Sequence, residues 1–476
     1  MTATKNVAPN LTLVRAFGAL LIGLLVSSVA PAQSIKMPPH EKIVMKNGLS
    51  VLLLEKHGVP IVSFSALVKS GAAADPAGQE GLASQTAALL RKGTKKRSAQ
   101  QFAEDLDFIG GSFEAGAGAD FTTISAEFLT KDMTQGLDLF TDALLQPVFP
   151  QEEVSKSLSQ TLDAVRGAKD DPREVLNIYY YGYLYGGRGY GRPDEGDEIS
   201  LKKIDRESIL RFYAANYTPG NTILAVAGEF NAAELRKQLE ATLGAWPAKP
   251  AAPVAIPTIA PAKGKRLLLV DKPDATQTYF AFGNVETAAG DPDRVAIHVV
   301  NTIFGGRFTS MLNEALRVES GLTYGARSGF DARKAPGPFG VYTFTKNDST
   351  VKAIDMALDV LRKLHKDGIT AEQLASAKSY IKGQFPPTIE TSRELAQRIA
   401  SNEFYGLDDS EVNQLEARID AVTLETARQT IQKHFPEDNL VFVLIGKAAA
   451  IAPAVKKYAD KQDARPISAP GFWPGS

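Results

Sequence analysis

The strongest constraint on the fold of this chain is that its secondary-structure signals come in the same order twice. A proline- and alanine-rich stretch, 246–263, separates the two series. Proline fixes φ and favours extended backbone, so the stretch reads as a semi-rigid linker. Before it, strand-like runs at 49–54 and 61–68 lead into a helical stretch, 79–91, a strand at 121–128, a long amphipathic helix at 131–145 and a last strand at 222–227. After it, runs at 266–270 and 277–282 are followed by a helical stretch at 291–303, a strand at 339–344, a helix at 350–366 and a strand at 440–445. The strands alternate with period two and the helices carry apolar stripes. Such an order predicts an α+β fold: two tandem homologous domains, 33–245 and 264–476, each an antiparallel sheet with helices packed on one face.

The amino terminus reads differently. Lys5 and Arg15 precede the apolar run 17–26, and Ala30-Pro31-Ala32 offers small residues before Gln33. This pattern predicts a signal peptide over 1–32, and hence an exported, periplasmic protein. No later stretch is apolar enough over the ~20 residues of a membrane span. A net charge of −1, with no basic stripe, argues against a nucleic-acid partner. The absence of cysteine removes disulfides, thiolate metal sites and cysteine nucleophiles. There is no G-x-S-x-G elbow and no P-loop. Two S-x-x-K matches, at 200–203 and 349–352, lack the K-T-G that would give them meaning.

The segment Gly81-Leu82-Ala83-Ser84-Gln85-Thr86-Ala87-Ala88, running on to Gly93-Thr94, resembles the frame around the inverted zinc motif H-x-x-E-H of the M16 (pitrilysin-like, M16B) peptidases. Further fragments are similar to that family in the same order. They are Gly110-Gly111-Ser112-Phe113 with Asp120-Phe121-Thr122, Tyr190-Gly191-Arg192-Pro193, Tyr217-Thr218-Pro219-Gly220-Asn221, Gly305-Gly306-Arg307-Phe308, and Arg317 followed by Gly321-Leu322-Thr323-Tyr324. The resemblance implies a catalytic zinc held by two histidines and a later glutamate, with the motif glutamate as general base. This chain has Ser84 and Ala88 at the histidine positions, Ala87 at the base and, by the frame before Asp170-Asp171-Pro172, Ala164 at the third ligand. A catalytic zinc needs about three protein ligands and one open position. Serine is a poor ligand at neutral pH and alanine is none. His40, His57, His298, His365 and His434 form no pair at helical ligand spacing.

By the same resemblance, Arg317 and Tyr324 match the pair that reaches substrate across the family's closed chamber. Arginine presents fixed donors to a peptide carbonyl, and a tyrosine hydroxyl can donate to a developing oxyanion. Taken alone, the two residues fit better an arginine that complements a helix C-terminus and a tyrosine half-buried in a strand. A run of tyrosines, Tyr179, Tyr180, Tyr181, Tyr183, Tyr185 and Tyr190, fits a helix end packed into the core, with a peptide-binding wall as the alternative. The resemblance therefore implies a chain with no cofactor and no catalysis of its own. Such a chain pairs with a zinc-bearing M16B subunit whose H-x-x-E-H is intact and acts on extended or unfolded peptide. The alternative is an inactive assembly or scaffold protein of the same fold.

Overall fold

Strands β1 (Glu41–Val44), β2 (Ser50–Glu55), β3 (Ile61–Val68), β4 (Ser112–Ala117), β5 (Thr122–Leu129) and β6 (Thr222–Gly228) form one sheet in the order β1-β2-β6-β3-β5-β4. A second sheet, β12-β7-β11-β8-β10-β9, is built from β7 (Arg266–Asp271), β8 (Gln277–Val285), β9 (Ala326–Phe330), β10 (Pro338–Lys346), β11 (Val441–Gly446) and β12 (Lys461–Pro466). The computed structural model describes residues 35–249 and 256–474. The expected signal peptide and part of the expected linker lie outside those residues. Met37 to Ser476 cluster as one unit.

The two sheets repeat one plan, as the sequence order predicts. Most pairings are antiparallel, but β6 runs parallel to β2, β11 parallel to β7, and β12 parallel to β7. The chain reaches β6 and β11 only after a long series of helices, and a crossover of that kind delivers a parallel strand.

The helices of the first half are α1 (Leu82–Ala88), α2 (Ala99–Phe108), α3 (Met133–Leu145), α4 (Gln151–Ala168), α5 (Pro172–Tyr185), α6 (Arg206–Asn216) and α7 (Ala232–Leu243). Those of the second half are α8 (Arg294–Asn301), the short α9 (Met311–Asn313), α10 (Thr350–Asp367), α11 (Ala371–Gln384), α12 (Ser392–Tyr405), α13 (Ser410–Asn413), α14 (Leu415–Ala421), α15 (Leu424–His434) and α16 (Ala448–Val455). Two are shorter than their periodicity suggests. Gly81, at φ 96°, turns the chain sharply into α1, and α8 gives way to a π-turn, Thr302–Gly306.

Each half also lends one helix to the other's sheet, which periodicity does not reveal. Helix α5 lies across β8 and β11, and α12 lies across β3 and β6. Along β7, β8 and β11, Leu267, Phe280, Phe282 and Leu444 join the core of the second half, while Leu268, Ala281, Val443 and Ile445 join that of the first. Both faces of these strands are therefore buried. The tyrosines of α5 fix the exchange. The Tyr180 hydroxyl donates to the Phe339 carbonyl at 2.7 Å, that of Tyr185 to Pro336 at 3.0 Å, and that of Tyr183 to the Asp463 carboxylate at 2.8 Å. A Cβ on Gly283 would lie 2.6 Å from the Tyr180 hydroxyl, so glycine is required there. Most of the tyrosine run is thus core.

Candidate functional site

Helix α1 carries the positions where the motif would sit. Its first turn is closed by Asp75, whose carboxylate accepts the N–H groups of Gly81 and Ala83, each at 2.8 Å. Burial pushes the Asp75 carboxyl up to about 8, against the pull of these two bonds. Along the helix, the Ser84 hydroxyl donates to the Asp194 carbonyl at 2.9 Å, and Thr86 donates to the Leu82 carbonyl at 2.7 Å. Ala87 is buried and Ala88 is exposed. Gln85 Nε2 donates to Thr161 Oγ1 at 2.7 Å, and Gln85 Oε1 accepts from the Ser157 hydroxyl at 2.8 Å.

Ser157, Thr161 and Ala164 fall at i, i+4 and i+7 on α4, one face of that helix. The structure therefore brings α1 against α4 at Gln85, with Ala164 one turn beyond Thr161, the residue that accepts from the Gln85 amide. A Gln85 bridge, made of amide and hydroxyl groups, joins the two helices. Zinc does not fit these four positions: three alanines offer no donor atom, and the one hydroxyl is spent on a backbone carbonyl.

Beside them lies a cavity of about 700 Å³, lined by Ala164 of α4, by Tyr181 of α5, by Asp194 and Glu195 of the loop after Tyr190, and by Arg333 of the second half. Burial pushes the Asp194 carboxyl up to about 6, with Arg333 opposing. Arg333 stacks over the Tyr190 ring at 4.8 Å and bonds Asp331. The Tyr190 hydroxyl in turn donates to buried Asp120 at 2.5 Å, which also accepts from the Lys334 N–H at 2.8 Å. Every acid and base in this wall has an internal partner or an opposite charge close by.

The second half holds Arg317 and Tyr324. The Ser310 side chain caps α9, which runs on as a π-turn, Glu314–Glu319, and Arg317 lies in that turn. The guanidinium of Arg317 sits over the Phe308 ring, 4.4 Å from its centroid. The chain then reverses through Gly321, where Leu322 N–H donates to the Leu316 carbonyl at 2.9 Å. Thr323 Oγ1 accepts the Gly325 N–H at 3.1 Å, which pins the backbone around Tyr324 while its ring stays 81% exposed.

Tyr324 and Phe308 line a second cavity, of about 600 Å³, between α5 and the second sheet. Asn177 of α5 lines both cavities. Three residues that sequence reasoning did not single out also shape the second one: Arg327 and the stacked pair Tyr279 and Phe344, whose ring centroids are 5.1 Å apart. Arg327 follows Tyr324 by three residues, and that closeness was the only signal in the sequence.

Among the described residues, one group has metal-ligand geometry: Asp291, Asp293 and His434 bring ligand atoms within 4.8 Å of one another. It is an ion-pair network instead. His434 Nδ1 bonds Glu286 at 2.9 Å and its Nε2 bonds Asp293 at 3.0 Å, while the Lys433 ammonium donates to Asp293 at 2.6 Å.

Family comparisons agree with this geometry. Residues 50–193 match the model for Insulinase (Peptidase family M16), and residues 203–381 match that for the Peptidase M16 inactive domain. An "Uncharacterized zinc protease" of Streptomyces coelicolor is 27% identical over 346 residues, 71% of this chain and 75% of that protein. Another, from Bacillus subtilis, is 23% identical over 84% of this chain and 96% of its own length. Among solved structures, a peptidase M16 inactive domain from Pseudomonas fluorescens superposes with a TM-score of 0.81 at 24% identity, covering 86% of this chain and 98% of that one. A protease from Helicobacter pylori gives 0.79 at 20%, covering 86% and 99%. Both matched models and the duplicated fold lead to one conclusion: the chain belongs to the M16 peptidase family, as a non-catalytic member.

Proposed function

We propose that this chain is the non-catalytic subunit of an exported, heterodimeric M16B-type zinc peptidase. A partner chain with an intact H-x-x-E-H supplies the metal and the general base. This chain supplies half of the peptide-binding chamber, with Arg317 and Tyr324 as its contacts to substrate. One observation carries the reading. At the metal positions the Ser84 hydroxyl is spent on a backbone carbonyl and the three alanines carry no donor atom, whereas the Arg317 guanidinium and the Tyr324 hydroxyl make no hydrogen bond or ion pair among the described residues. A peptide carbonyl or a developing oxyanion matches such donors.

The test mixes the purified chain with a zinc-bearing partner and follows cleavage of an unfolded peptide. The expected result is cleavage much faster than by the partner alone, with Arg317→Ala slowing it about 100-fold, the loss typical of one transition-state donor. If the pair is no faster than the partner, or Arg317→Ala leaves the rate unchanged, the reading fails. The scaffold alternative then gains: it expects Arg317 and Tyr324 to be dispensable and the chain to co-purify with a complex that is not a peptidase.

A further inference from the structure

We infer that the cavity between α5 and the second sheet is a carboxylate pocket, so that this chain favours peptides with a negative charge in the segment it holds. The inference rests on the proposed peptide-chamber reading and names the substrate chemistry of that site.

Its basis is the way arginines are placed there. Several arginines elsewhere are paired with acids: Arg97 bonds Asp105, Asp138 and Asp142, Arg294 bonds Glu411, and Arg333, although it lies over the Tyr190 ring, also bonds Asp331. Two arginines that line this cavity, Arg307 and Arg327, and Arg317 beside its Phe308 wall lie over aromatic rings. Arg327 sits 5.5 Å from the Tyr342 centroid, Arg307 5.8 Å from that of Tyr380, and Arg317 4.4 Å from that of Phe308. A cation–π contact of this kind does not consume the N–H donors of a guanidinium. Arg327 makes no hydrogen bond or ion pair among the described residues. Arg307 donates through one terminal nitrogen to the Ser376 hydroxyl at 2.9 Å, while its Nε–H is buried with no acceptor. Arg173 also lines the cavity but is committed to Asp171 at 2.8 Å.

Among the described residues, no aspartate or glutamate lines this cavity. The cavity on the other side of α5 carries Glu174, Asp194 and Glu195. A buried donor without a partner is costly, and a carboxylate binds a guanidinium fork through two parallel bonds. The aromatic walls would cover the apolar part of an extended chain while the arginines take its charge. A glutamate or aspartate side chain offers this group, and so does a peptide C-terminus.

Fluorescence anisotropy with the purified chain tests the assignment. Four labelled peptides of one sequence are compared: glutamate or glutamine at the variable positions, each with a free or an amidated C-terminus. The expected result is at least about tenfold tighter binding of one carboxylate-bearing form, the scale of one charge-assisted contact. Preference for the glutamate peptides identifies a side-chain carboxylate, and preference for the free acids a terminal one. Arg327→Gln and Arg307→Gln should remove that preference and leave the uncharged peptide unaffected. Arg211→Gln, on the distant surface and paired with Glu207, serves as the charge control and should change nothing. Equal binding of all four peptides, or an equal loss in the Arg211 control, overturns the carboxylate pocket and leaves peptide binding standing. No binding of any of them overturns the chamber reading itself.

Discussion

Helix α1 with α4 in the first half, and the turn from Arg307 to Arg327 in the second, are the places to which the family resemblance points for chemistry, yet their polar groups are spent in opposite ways. In the first, the buried polar side chains of α1 each have an internal partner: Ser84 on Asp194, Gln85 on Ser157 and Thr161, Thr86 on Leu82. In the second, three guanidinium groups lie on aromatic rings and the Tyr324 ring faces outward. A region given over to packing satisfies itself, because an unpaired buried polar group costs stability. A region kept for a ligand leaves its donors for that ligand. The difference between the halves is one of hydrogen-bond accounting before it is one of activity.

The sharpest way to break this comparison is to put the general base back. Ala87 is about 1% exposed. With no metal ligand beside it, the carboxylate of Ala87→Glu would be buried without a partner and should cost about 3 kcal/mol or more. Urea unfolding measures this directly. A loss under about 1 kcal/mol would mean that the space at α1 is still open and polar, and that the packing account of the first half is wrong.

Much of this was legible in the sequence, and what was not has a physical reason. Strand 61–68 was read to the residue from the alternation of apolar with small polar side chains, although the structure buries both of its faces. The motif positions on α1 and Ala164 on α4 were placed from frame alone, and the two helices are joined at Gln85, Ser157 and Thr161. The exchange of α5 and α12 was not legible. Periodicity shows that a helix has a buried face, and it is silent on which sheet covers that face. The tyrosine run held the clue, since so many hydroxyls in one helix need polar partners once buried. Those partners are backbone carbonyls and carboxylates of the other half. Arg307 and Arg327 were also missed, because stacking on rings contributed by Tyr380 and Tyr342 depends on tertiary approach.

A middle-sized effect concerns the Gln85 bridge. Gln85→Ala removes two hydrogen bonds between α1 and α4 and leaves Ser157 and Thr161 to find water. A loss of about 1–2 kcal/mol is expected, near the net worth of two neutral bonds. Gln85→Glu keeps the acceptor for Ser157 and lets Thr161 turn its hydroxyl to donate, and it should retain part of that stability. If Gln85→Ala is silent, the contact between α1 and α4 owes little to this bridge.

His434 extends the same accounting to a group with metal-ligand geometry. Burial opposes its charge, but the carboxylates of Glu286 and Asp293 outweigh that and hold its pKa above the usual 6.5. A raised histidine pKa stabilises the folded state fully below the unfolded value near 6.5 and ceases to do so as pH rises through the folded value. Unfolding free energy should therefore fall with rising pH just above 6.5, and His434→Gln should flatten that slope. Added zinc should leave the melting temperature unchanged. A zinc-dependent rise would instead make Asp291, Asp293 and His434 a metal site.

The smallest expected effect on stability falls on the residues proposed to matter most for function. Tyr324 is 81% exposed, and Arg317 rests on a phenylalanine that is itself 66% exposed. Tyr324→Phe and Arg317→Ala should each change unfolding free energy by less than about 0.5 kcal/mol, the range of ordinary surface substitutions. The weak stacking of Arg317 on Phe308 sets the upper end. These variants separate the two explanations for unpartnered donors. If either costs more than about 1 kcal/mol, the side chain is structural, and the contrast between the halves loses its open side. If both are silent in unfolding while Arg317→Ala slows the assembled pair, the donors are held for something outside the chain, at almost no cost to the fold that presents them.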